Sequence, residues 1–450
     1  MQGFLQVVHE AKRALLVAAV ALSMHAAQAN DLLDVYRQAL ERDAVLQGQA
    51  GLRAAQVEAG PQARAILLPQ LGATAQRSRD RSSIDQSPDV YGDARSLGLT
   101  FSQTLWDLAS FQQLKAANLE SAAAETRFRD AQQSLLLRVS ETYFRTLSAA
   151  DQLATNIAER DAFGGLLNQA KVREQTGVGP RSDVVQAQSY FDATLQSVID
   201  AENEYEDARR ALQEITGDYR ADLAPLREEI PLRAPEPAAV DDWVARAQQD
   251  NLTLRAGELQ VEAAARRVAA DQSGGMPTLA LRGSLSRLRQ DGLPGSDQNI
   301  DGVGLAVTWP LFQGGAVASR TRESRGLQRQ AEAAYLQAQR EVERRTRLAW
   351  RGALTGIERI EVAQRAVQSS RAAVESSRNK IEFGTGTEFE LLNAQNLHFA
   401  AQRAYHQARF DQLTSALRLK ALTGSLTERD LQQVDDLLVE SLPGVAANVP

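Results

Sequence analysis

One short sequence pattern occurs twice in the chain, 207 residues apart. Both copies begin with two glycines separated by one residue, Gly177 and Gly179 in the first copy and Gly384 and Gly386 in the second. Both copies end in Ala-Gln, and a long stretch of helix-forming residues without proline lies on either side of each. Because glycine ends helices and lets the chain reverse, each copy predicts a sharp turn between two helices. Two such turns at a fixed spacing indicate an internally duplicated chain.

The composition excludes several kinds of protein. The chain has no cysteine, which rules out disulfides, thiolate metal sites and a lipidated N-terminal cysteine. Its net charge of −7 argues against a nucleic-acid-binding protein, although plain solubility also explains this charge. No run of about 18 apolar residues lies beyond the N-terminus, so the sequence predicts no transmembrane helix in the mature chain.

The first 29 residues have the pattern of a secretory signal peptide. A basic end at Lys12 and Arg13 precedes an apolar core at 14–22, and Ala27-Gln28-Ala29 fits the small-x-small cleavage rule. An uncleaved membrane anchor is the alternative, but the apolar run is short for a membrane span. The sequence therefore predicts an exported protein.

Each repeat has the same predicted order of elements, namely helix, strand, loop, strand, long helix, turn and helix. The long helical stretch from Asp107 to Gln175 contains no proline and would be about 100 Å long. The polar stretches Arg77–Arg95 and Gln290–Asp301 are predicted as loops. The predicted segments are the signal peptide 1–29, the first repeat 30–216 with a strand pair at about 67–105, a proline-rich linker 217–240, the second repeat 241–424 with a strand pair at about 278–312, and a C-terminal tail 425–450.

The predicted strands alternate between apolar residues and small or polar ones. Leu97, Leu99 and Phe101 alternate with glycine, threonine and serine, and the strand ending at Leu311 repeats this pattern. A half-buried sheet in a soluble sandwich is one interpretation, and a membrane barrel with lipid outside and water inside is the other. Helices of about 60 residues between the strands favour the barrel. Four strands cannot close a membrane barrel, so the barrel interpretation requires an oligomer, and a trimer would supply twelve strands.

The whole mature chain resembles the TolC family of outer-membrane efflux and secretion channels. The resemblance is carried by the duplication, the two strand pairs and the sequence at 384–395, Gly-Thr-Gly-Thr-Glu-Phe-Glu-Leu-Leu-Asn-Ala-Gln. It implies a mainly α-helical homotrimer in which a membrane β-barrel of twelve strands, four from each chain, continues into a periplasmic α-helical coiled-coil barrel. It further implies a location in the outer membrane of a Gram-negative bacterium, surrounded by outer-membrane lipid and extending into the periplasm.

The resemblance also implies partners and a passive role. Substrates would be delivered by an inner-membrane pump of the ABC or RND type and by a periplasmic adaptor protein, for multidrug efflux or type I protein secretion. A pore-less periplasmic helical scaffold or adaptor is the alternative, although an adaptor would normally carry one helical hairpin and a lipoyl-like domain.

Candidate pore residues follow from the resemblance. The family narrows its periplasmic end with acidic residues just after the second turn, and these positions match Glu390 and Asn393, with Asp183 and Gln186 at the equivalent places in the first repeat. Residues three apart share a helix face, so each pair could face the lumen. The alternative for Glu390 is an ordinary solvated carboxylate near a helix N-terminus.

This chain departs from the family pattern at two positions. Asn393 replaces a second acid, and Gly386 stands where some relatives carry a basic residue that helps to hold the turn closed. Arg173 and Arg181 are candidates for that missing role.

Two further groups of residues have candidate roles in docking and membrane contact. The turn residues would shape the grooves that receive the adaptor; they are Gly177, Gly179, Pro180, Gly384 and Gly386. Trp106, Trp309 and Phe312 end strands, where aromatic residues at a membrane interface are expected, although packing at the strand–helix junction also explains them.

No residue pattern predicts catalysis, a cofactor or a metal site. The glycine turns lack the lysine and the preceding strand of a phosphate-binding loop. His398 and His406 are spaced by eight residues without a neighbouring carboxylate pair, and His398 aligns with Phe191 of the first repeat, which predicts a packed neutral histidine. The expectation is a protein that is not an enzyme and that binds no nucleic acid.

Overall fold

The computed structural model describes residues 31–82, 90–218, 223–291 and 297–439. The predicted signal peptide and the last residues of the predicted tail lie outside this part of the chain. The helices, in chain order, are α1 (Leu32–Arg42), α2 (Ala44–Val57), α3 (Ala59–Ala65), α4 (Leu108–Gln175), α5 (Arg181–Thr216), α6 (Val240–Asp250), α7 (Leu252–Gln272), α8 (Ala316–Glu382), α9 (Glu388–Leu422) and α10 (Glu428–Asp435). The strands are β1 (Gln70–Ser82), β2 (Val90–Trp106), β3 (Thr278–Asp291) and β4 (Gln298–Thr308).

The chain divides into two compact units that cut across the predicted repeats. The first unit contains residues 1–47, 131–250 and 342–450, and the second contains 48–130 and 251–341. Each unit therefore takes segments from both repeats. The compact units are set by packing, whereas the repeats are set by sequence similarity, and the boundaries assigned to the repeats stay predictions.

The helices end where the residues predict. No proline interrupts α4, α5, α8 or α9, and glycines in the left-handed conformation follow α5 and α9 at Gly217 and Gly424, with φ of 71° and 66°. The sequence predicts one helix from Asp31 to about Ala65, whereas the structure has three. Asp43 separates the first two, because its side chain caps α2 by accepting from the Leu46 amide at 2.6 Å. The sequence likewise predicts one helix from about Asp241 to Gln272, whereas the structure has two, because the Asn251 side chain accepts from the Leu254 amide at 3.1 Å and caps α7.

The first unit joins the two ends of the described chain. At the end of α10 the carboxylate of Asp435 accepts from the amides of Leu32 and Leu33, at 2.8 and 3.2 Å, at the start of α1. Burial, and then the charge of Asp31, raise the pKa of Asp435 to about 6. The predicted tail thus contains a helix, with a capping box at Thr427, that the sequence interpretation missed.

A buried arginine holds the linker between the repeats. Arg409 on α9 is 2% exposed and donates to the carbonyl oxygens of Arg227 and Glu228 at 3.0 and 2.9 Å. The segment also forms a short antiparallel bridge at Leu226 with Leu438. The linker is therefore fixed to the helices by hydrogen bonds.

The second unit contains one antiparallel sheet in the order β1-β2-β3-β4. The central pair, β2 with β3, joins a strand of the first repeat to a strand of the second. In the helical part of this unit, Arg53 on α2 pairs with Glu125 on α4 at 2.8 Å, and Gly257 on α7 lies close to the ring of Tyr335 on α8. None of the described helices is both long enough and apolar enough to cross a membrane.

The two predicted loops are much shorter than the sequence indicated. β1 continues to Ser82 and β2 begins at Val90, so most of Arg77–Arg95 is strand, and β3 and β4 cover half of Gln290–Asp301. The prediction was wrong because it followed the loss of apolar alternation. The ladder continues because each strand still supplies backbone hydrogen bonds to its neighbour, whatever side chains it carries.

Candidate functional site at the two helical turns

The two glycine-rich turns share one backbone geometry. In the first turn, between α4 and α5, the amides of Val178 and Gly179 donate to the carbonyl oxygen of Arg173 at 2.9 and 3.0 Å. In the second, between α8 and α9, two successive amides donate to the carbonyl oxygen of Lys380 at 2.8 and 3.0 Å. Arg173 and Lys380 are 207 residues apart. The duplication therefore extends to individual hydrogen bonds.

The glycines of both turns are required by their backbone. Gly177 and Gly384 are left-handed, with φ of 74° and 72°. A Cβ atom added at Gly386 would lie 2.7 Å from the Cβ of Lys380, and one added at Gly179 would lie 3.0 Å from its counterpart in the first turn. The absence of a basic side chain at position 386 thus allows the turn to close tightly on α8.

Glu390 and Asn393 lie on the exposed face of α9. Both side chains are exposed, whereas Leu391 and Leu392 between them are buried. The helix begins at Thr387, whose side chain accepts from the Glu390 amide at 3.2 Å. The two candidate pore residues share a face that points away from the core of their own chain, as their spacing predicted.

The equivalent residues of the first repeat occupy a similar face of α5. Gln186 is exposed, and Asp183 is half-buried and accepts from the Ser182 hydroxyl at 3.4 Å. Pro180 precedes this helix and provides no side-chain cap. Within the described residues, no hydrogen bond or ion pair joins Asp183 or Gln186 to the candidate residues of α9. The two pairs are therefore separate in one chain.

An ion pair between the two turns was missed as a site. Arg173, in the last turn of α4, pairs with Glu388 at the start of α9, and Glu388 is only 7% exposed. Sequence reasoning named Arg173 and Arg181 as candidate bases but did not name the acid. Arg181 is exposed, and no described carboxylate pairs with it. The alignment of the two repeats contained a signal for this pair, because Glu388 aligns with Arg181. Among the four aligned residues at 173, 181, 380 and 388, Glu388 is the one acid.

Aromatic and aliphatic side chains pack beneath the turns. Phe163 and Leu167 of α4 form a buried cluster with Leu392 and Phe399 of α9. The rings of Phe163 and Tyr190 of α5 stack with centroids 5.4 Å apart. This cluster joins both repeats and fixes which face of α9 is free.

A second buried charge pair links the same helices further from the turns. Arg403 of α9 pairs with Glu159 of α4 and donates to Asn156 Oδ1 at 3.2 Å. The amide nitrogen of Asn156 in turn donates to the Ser197 carbonyl oxygen of α5 at 2.9 Å. Because these polar groups are mutually satisfied, the network favours one alignment of the three helices.

Large apolar side chains are exposed at the turns. Val178 is 79% exposed, Phe383 is 80% exposed, and Phe389 is more than half exposed. We call these three residues the turn patch.

The mature histidines are packed between helices. His398 Nδ1 lies 3.1 Å from the Ser370 hydroxyl, and burial, followed by the charge of Arg371, lowers the pKa of His398 below its ordinary value. His406 Nδ1 lies 3.3 Å from a carboxylate oxygen of Asp151. Among the described residues, no group of three or more histidine or acidic side chains could hold a metal ion.

The three candidate membrane-interface aromatics are exposed around the strand ends. Trp106 is the last residue of β2, Trp309 follows β4 directly, and Phe312 lies in the connection to α8. Trp106 also meets the ring of Phe111 edge-on, with centroids 5.9 Å apart. Their role at a membrane surface stays a prediction.

Comparison with known proteins identifies the family. The profile of the outer membrane efflux protein family matches residues 35–218 and 243–425. The chain is 31% identical to the outer membrane protein TolC of Vibrio cholerae over 93% of this chain and 96% of that protein. It is 28% identical to the alkaline protease secretion protein AprF of Pseudomonas aeruginosa, over 90% of this chain and 86% of that protein.

Solved structures share the fold. The outer-membrane channel OprN superimposes with a TM-score of 0.78 at 21% identity, covering 88% of this chain and 90% of that one. The outer membrane protein VceC of Vibrio cholerae gives a TM-score of 0.75 at 20% identity, covering 87% and 96%. The family match and the similarity to TolC of Vibrio cholerae favour an outer-membrane channel over the pore-less scaffold. The chain therefore belongs to the outer membrane efflux protein family, as a channel of the outer membrane with a tandem-duplicated, mainly helical fold.

Proposed function

We propose that three copies of this chain form one closed barrel, to which each contributes its four strands. The outer strands β1 and β4 each pair on one side only within the single chain. Unpaired strand edges are not tolerated in lipid, and the smallest membrane barrels have about eight strands. Trimerisation would pair every edge and leave a lumen wide enough for water.

The two faces of the sheet support lipid outside and water inside. Val303, Leu305 and Val307 of β4 point to one face and are 79%, 67% and 71% exposed. The alternate positions of this strand include Gly302 and Gly304, which leave the other face small. An exposed apolar face on a sheet with two open edges is the observation that carries this proposal.

The channel would be a passive exit that a pump and an adaptor supply. Relatives named for protease secretion and for efflux both match nearly the whole chain. We therefore propose that this chain passes secreted proteins, small molecules or both, with the inner-membrane pump deciding the cargo. The turn patch would be buried against the periplasmic adaptor, beside the glycines that shape the turns.

The constriction would be formed by the exposed face of α9. In a trimer, three Glu390 carboxylates around one axis would repel each other and attract cations. Asn393 would add a neutral polar ring one turn away, and Asp183 and Gln186 would contribute from α5. The pair between Arg173 and Glu388 would hold the start of α9 against α4 and so keep Glu390 in place.

Single-channel conductance in a planar bilayer tests the proposal. We expect wild-type protein to give a small steady conductance that millimolar divalent cation reduces from the side of the turns. Glu390→Ala should weaken this block at least several-fold, because the ring loses its charge. Glu382→Ala is the matched control, since it removes an exposed carboxylate at the end of α8 beside the same turn.

The outcomes separate the parts of the proposal. Conductance with equal block in Glu390→Ala and wild type would keep the channel and remove Glu390 from the constriction. Equal weakening in Glu382→Ala would indicate a diffuse surface-charge effect. A folded trimer without conductance would contradict the proposed pore.

A further inference from the structure

Three arginines lie directly opposite one another on adjacent strands. Arg77 of β1 is the register partner of Arg95 of β2, and Arg95 is in turn the partner of Arg289 of β3. Arg79 and Arg287 lie one step away on the same face, and all five side chains are exposed. We call these five residues the arginine row. It lies towards the hairpin end of the sheet, away from the ends that continue into α4 and α8.

The arginine row lies on the apolar face of the sheet. Side chains two residues apart on a strand share a face, so Arg95 shares its face with Leu97, Leu99 and Phe101. Arg289 shares the face of Leu285 in the same way. The charges thus begin where the apolar band ends.

Neighbouring carboxylates balance only part of the charge in the arginine row. Asp93 is the ion-pair partner of both Arg77 and Arg79, at 3.4 and 3.5 Å. Among the side chains that the structure describes, which do not include that of Asp291, no carboxylate lies within ion-pair distance of Arg95, Arg287 or Arg289. Like charges directly opposite each other destabilise a sheet. An anion bound across the strands would remove this repulsion.

The boundary between apolar and charged residues slopes across the sheet. On the apolar face, the first charged residue beyond the apolar band is Arg77 on β1 and Asp301 on β4. Arg77 lies level with Arg289 of β3, whereas Asp301 lies level with Leu285, four residues nearer the helices. Four residues correspond to about 13 Å along a strand, and three strand spacings to about 14 Å across the sheet, so the boundary slopes by about 40°. Strands in membrane barrels tilt by about 35–45°, so this boundary would lie level with a membrane surface.

We propose that the arginine row binds phosphate groups on the headgroups of lipids in the outer leaflet of the surrounding membrane. The inference rests on the proposed function, which places the apolar face in lipid and the hairpins outside. The guanidinium group binds phosphate through two parallel hydrogen bonds, and clusters of basic residues beside an apolar surface bind anionic headgroups. Arg77, Arg95 and Arg289, the three members that lie directly opposite one another, would let one headgroup with two phosphates span adjacent strands.

Lipid retention by the intact protein tests the inference. Purified trimer is mixed with a glycolipid that carries two phosphates, or with the same glycolipid after removal of its phosphates, and bound lipid is counted by native mass spectrometry. We expect wild type to retain the phosphorylated lipid at least tenfold more strongly than the dephosphorylated one. The double variant R95Q/R289Q should lose this preference, and R95K/R289K should keep part of it.

Arg282→Gln is the matched control. Arg282 is an exposed arginine of β3 on the opposite, small-residue face of the same sheet. We expect this variant to retain the phosphorylated lipid as wild type does. Trimer stability on a gel and conductance are measured for each variant, so that loss of lipid is separated from loss of fold.

Several results would overturn the inference. One is equal retention of phosphorylated lipid by wild type and R95Q/R289Q, and another is equal loss in Arg282→Gln. Displacement of the lipid by equimolar inorganic pyrophosphate would show a site for soluble anions instead. If these results occur in protein that still conducts, only this inference fails, whereas wild-type protein without conductance would contradict the proposed function itself.

Discussion

The two turns have the same backbone but carry different charges. Both reverse through a left-handed glycine and both satisfy one helical carbonyl with two amides. Arg173 and Lys380 occupy equivalent positions before the turns, and Arg181 and Glu388 occupy equivalent positions after them. The one acid among these four residues is buried against Arg173, whereas Arg181 and Lys380 are exposed.

This difference shows what a duplication keeps and what it leaves free to change. The turn backbone is fixed by steric limits that apply equally to both copies. The side chains meet different neighbours, so one acidic residue is enough to join the start of α9 to the end of α4. The asymmetry between the turns is therefore electrostatic and leaves their backbone geometry unchanged.

Removing the buried ion pair should have the largest effect on the difference between the two turns. Arg173→Met leaves Glu388 without its partner, and we expect the free energy of opening the turns to fall by about 3 kcal/mol. This value is at the lower end for buried ion pairs, because a third of the Arg173 side chain is exposed. Hydrogen exchange of the amides at the start of α9 measures this opening.

Lys380→Met is the control, because it removes the equivalent cation, which is exposed. It should change the free energy of opening by less than about 0.5 kcal/mol. The double variant R173M/E388Q should recover part of the loss, since no buried charge is then left unpaired. Equal effects of Arg173→Met and Lys380→Met would mean that the pair contributes nothing specific.

The close approach of Gly386 to Lys380 at the second turn should give the next largest effect on stability. Gly386→Ala places a Cβ atom 2.7 Å from that of Lys380, and we expect a loss of about 1–2 kcal/mol in the stability of the turn. Gly179→Ala is the matched variant at 3.0 Å and should cost less. Hydrogen exchange at Thr385 and Val178 reports each turn. A larger cost at Gly179 would show that the turns differ in backbone as well as in charge.

The smallest effect concerns a histidine that replaces an aromatic residue. His398 aligns with Phe191, and its pKa in the folded protein is lowered, mainly by burial. Folding therefore favours the neutral ring. The contribution of the neutral ring to the stability of the folded protein is present above the unfolded pKa of about 6.5 and is lost as pH falls through the lower folded pKa. We expect a change under about 1 kcal/mol, because the ring is only partly buried and solvent screens its charge.

His398→Phe should remove this pH dependence. Thermal stability of the trimer, measured from pH 7.5 to 5, would show a smaller decline than in wild type. An unchanged decline would assign the pH response to other groups.

The local sequence predicted the helices well and the strand ends poorly. Glycine and the absence of proline set the ends of α4, α5 and α9 within a residue or two, because these effects act within one helical turn. The strands were shortened in prediction because charged residues such as Arg77 and Arg95 interrupted the apolar alternation. Their backbones still pair, since ladder hydrogen bonds depend on the neighbouring strand.

The candidate site was predictable only where a local rule applied. The three-residue spacing of Glu390 and Asn393 was enough to place them on one helix face. Glu388 was missed because its partner lies 215 residues away in the chain. Helix α10 was missed for a similar reason, because it is short and is held to the start of α1 through Asp435.

The sequence alone determined the duplication, the two turns and the alternation of the strands, because each follows from steric and hydrogen-bonding rules within a few residues. Only the tertiary structure decided which charges are buried together and which stay exposed. It paired Arg173 with Glu388, and it aligned Arg77, Arg95 and Arg289 in one row. The physical reason is that charge pairing depends on distances between segments far apart in the chain, which the local pattern does not specify.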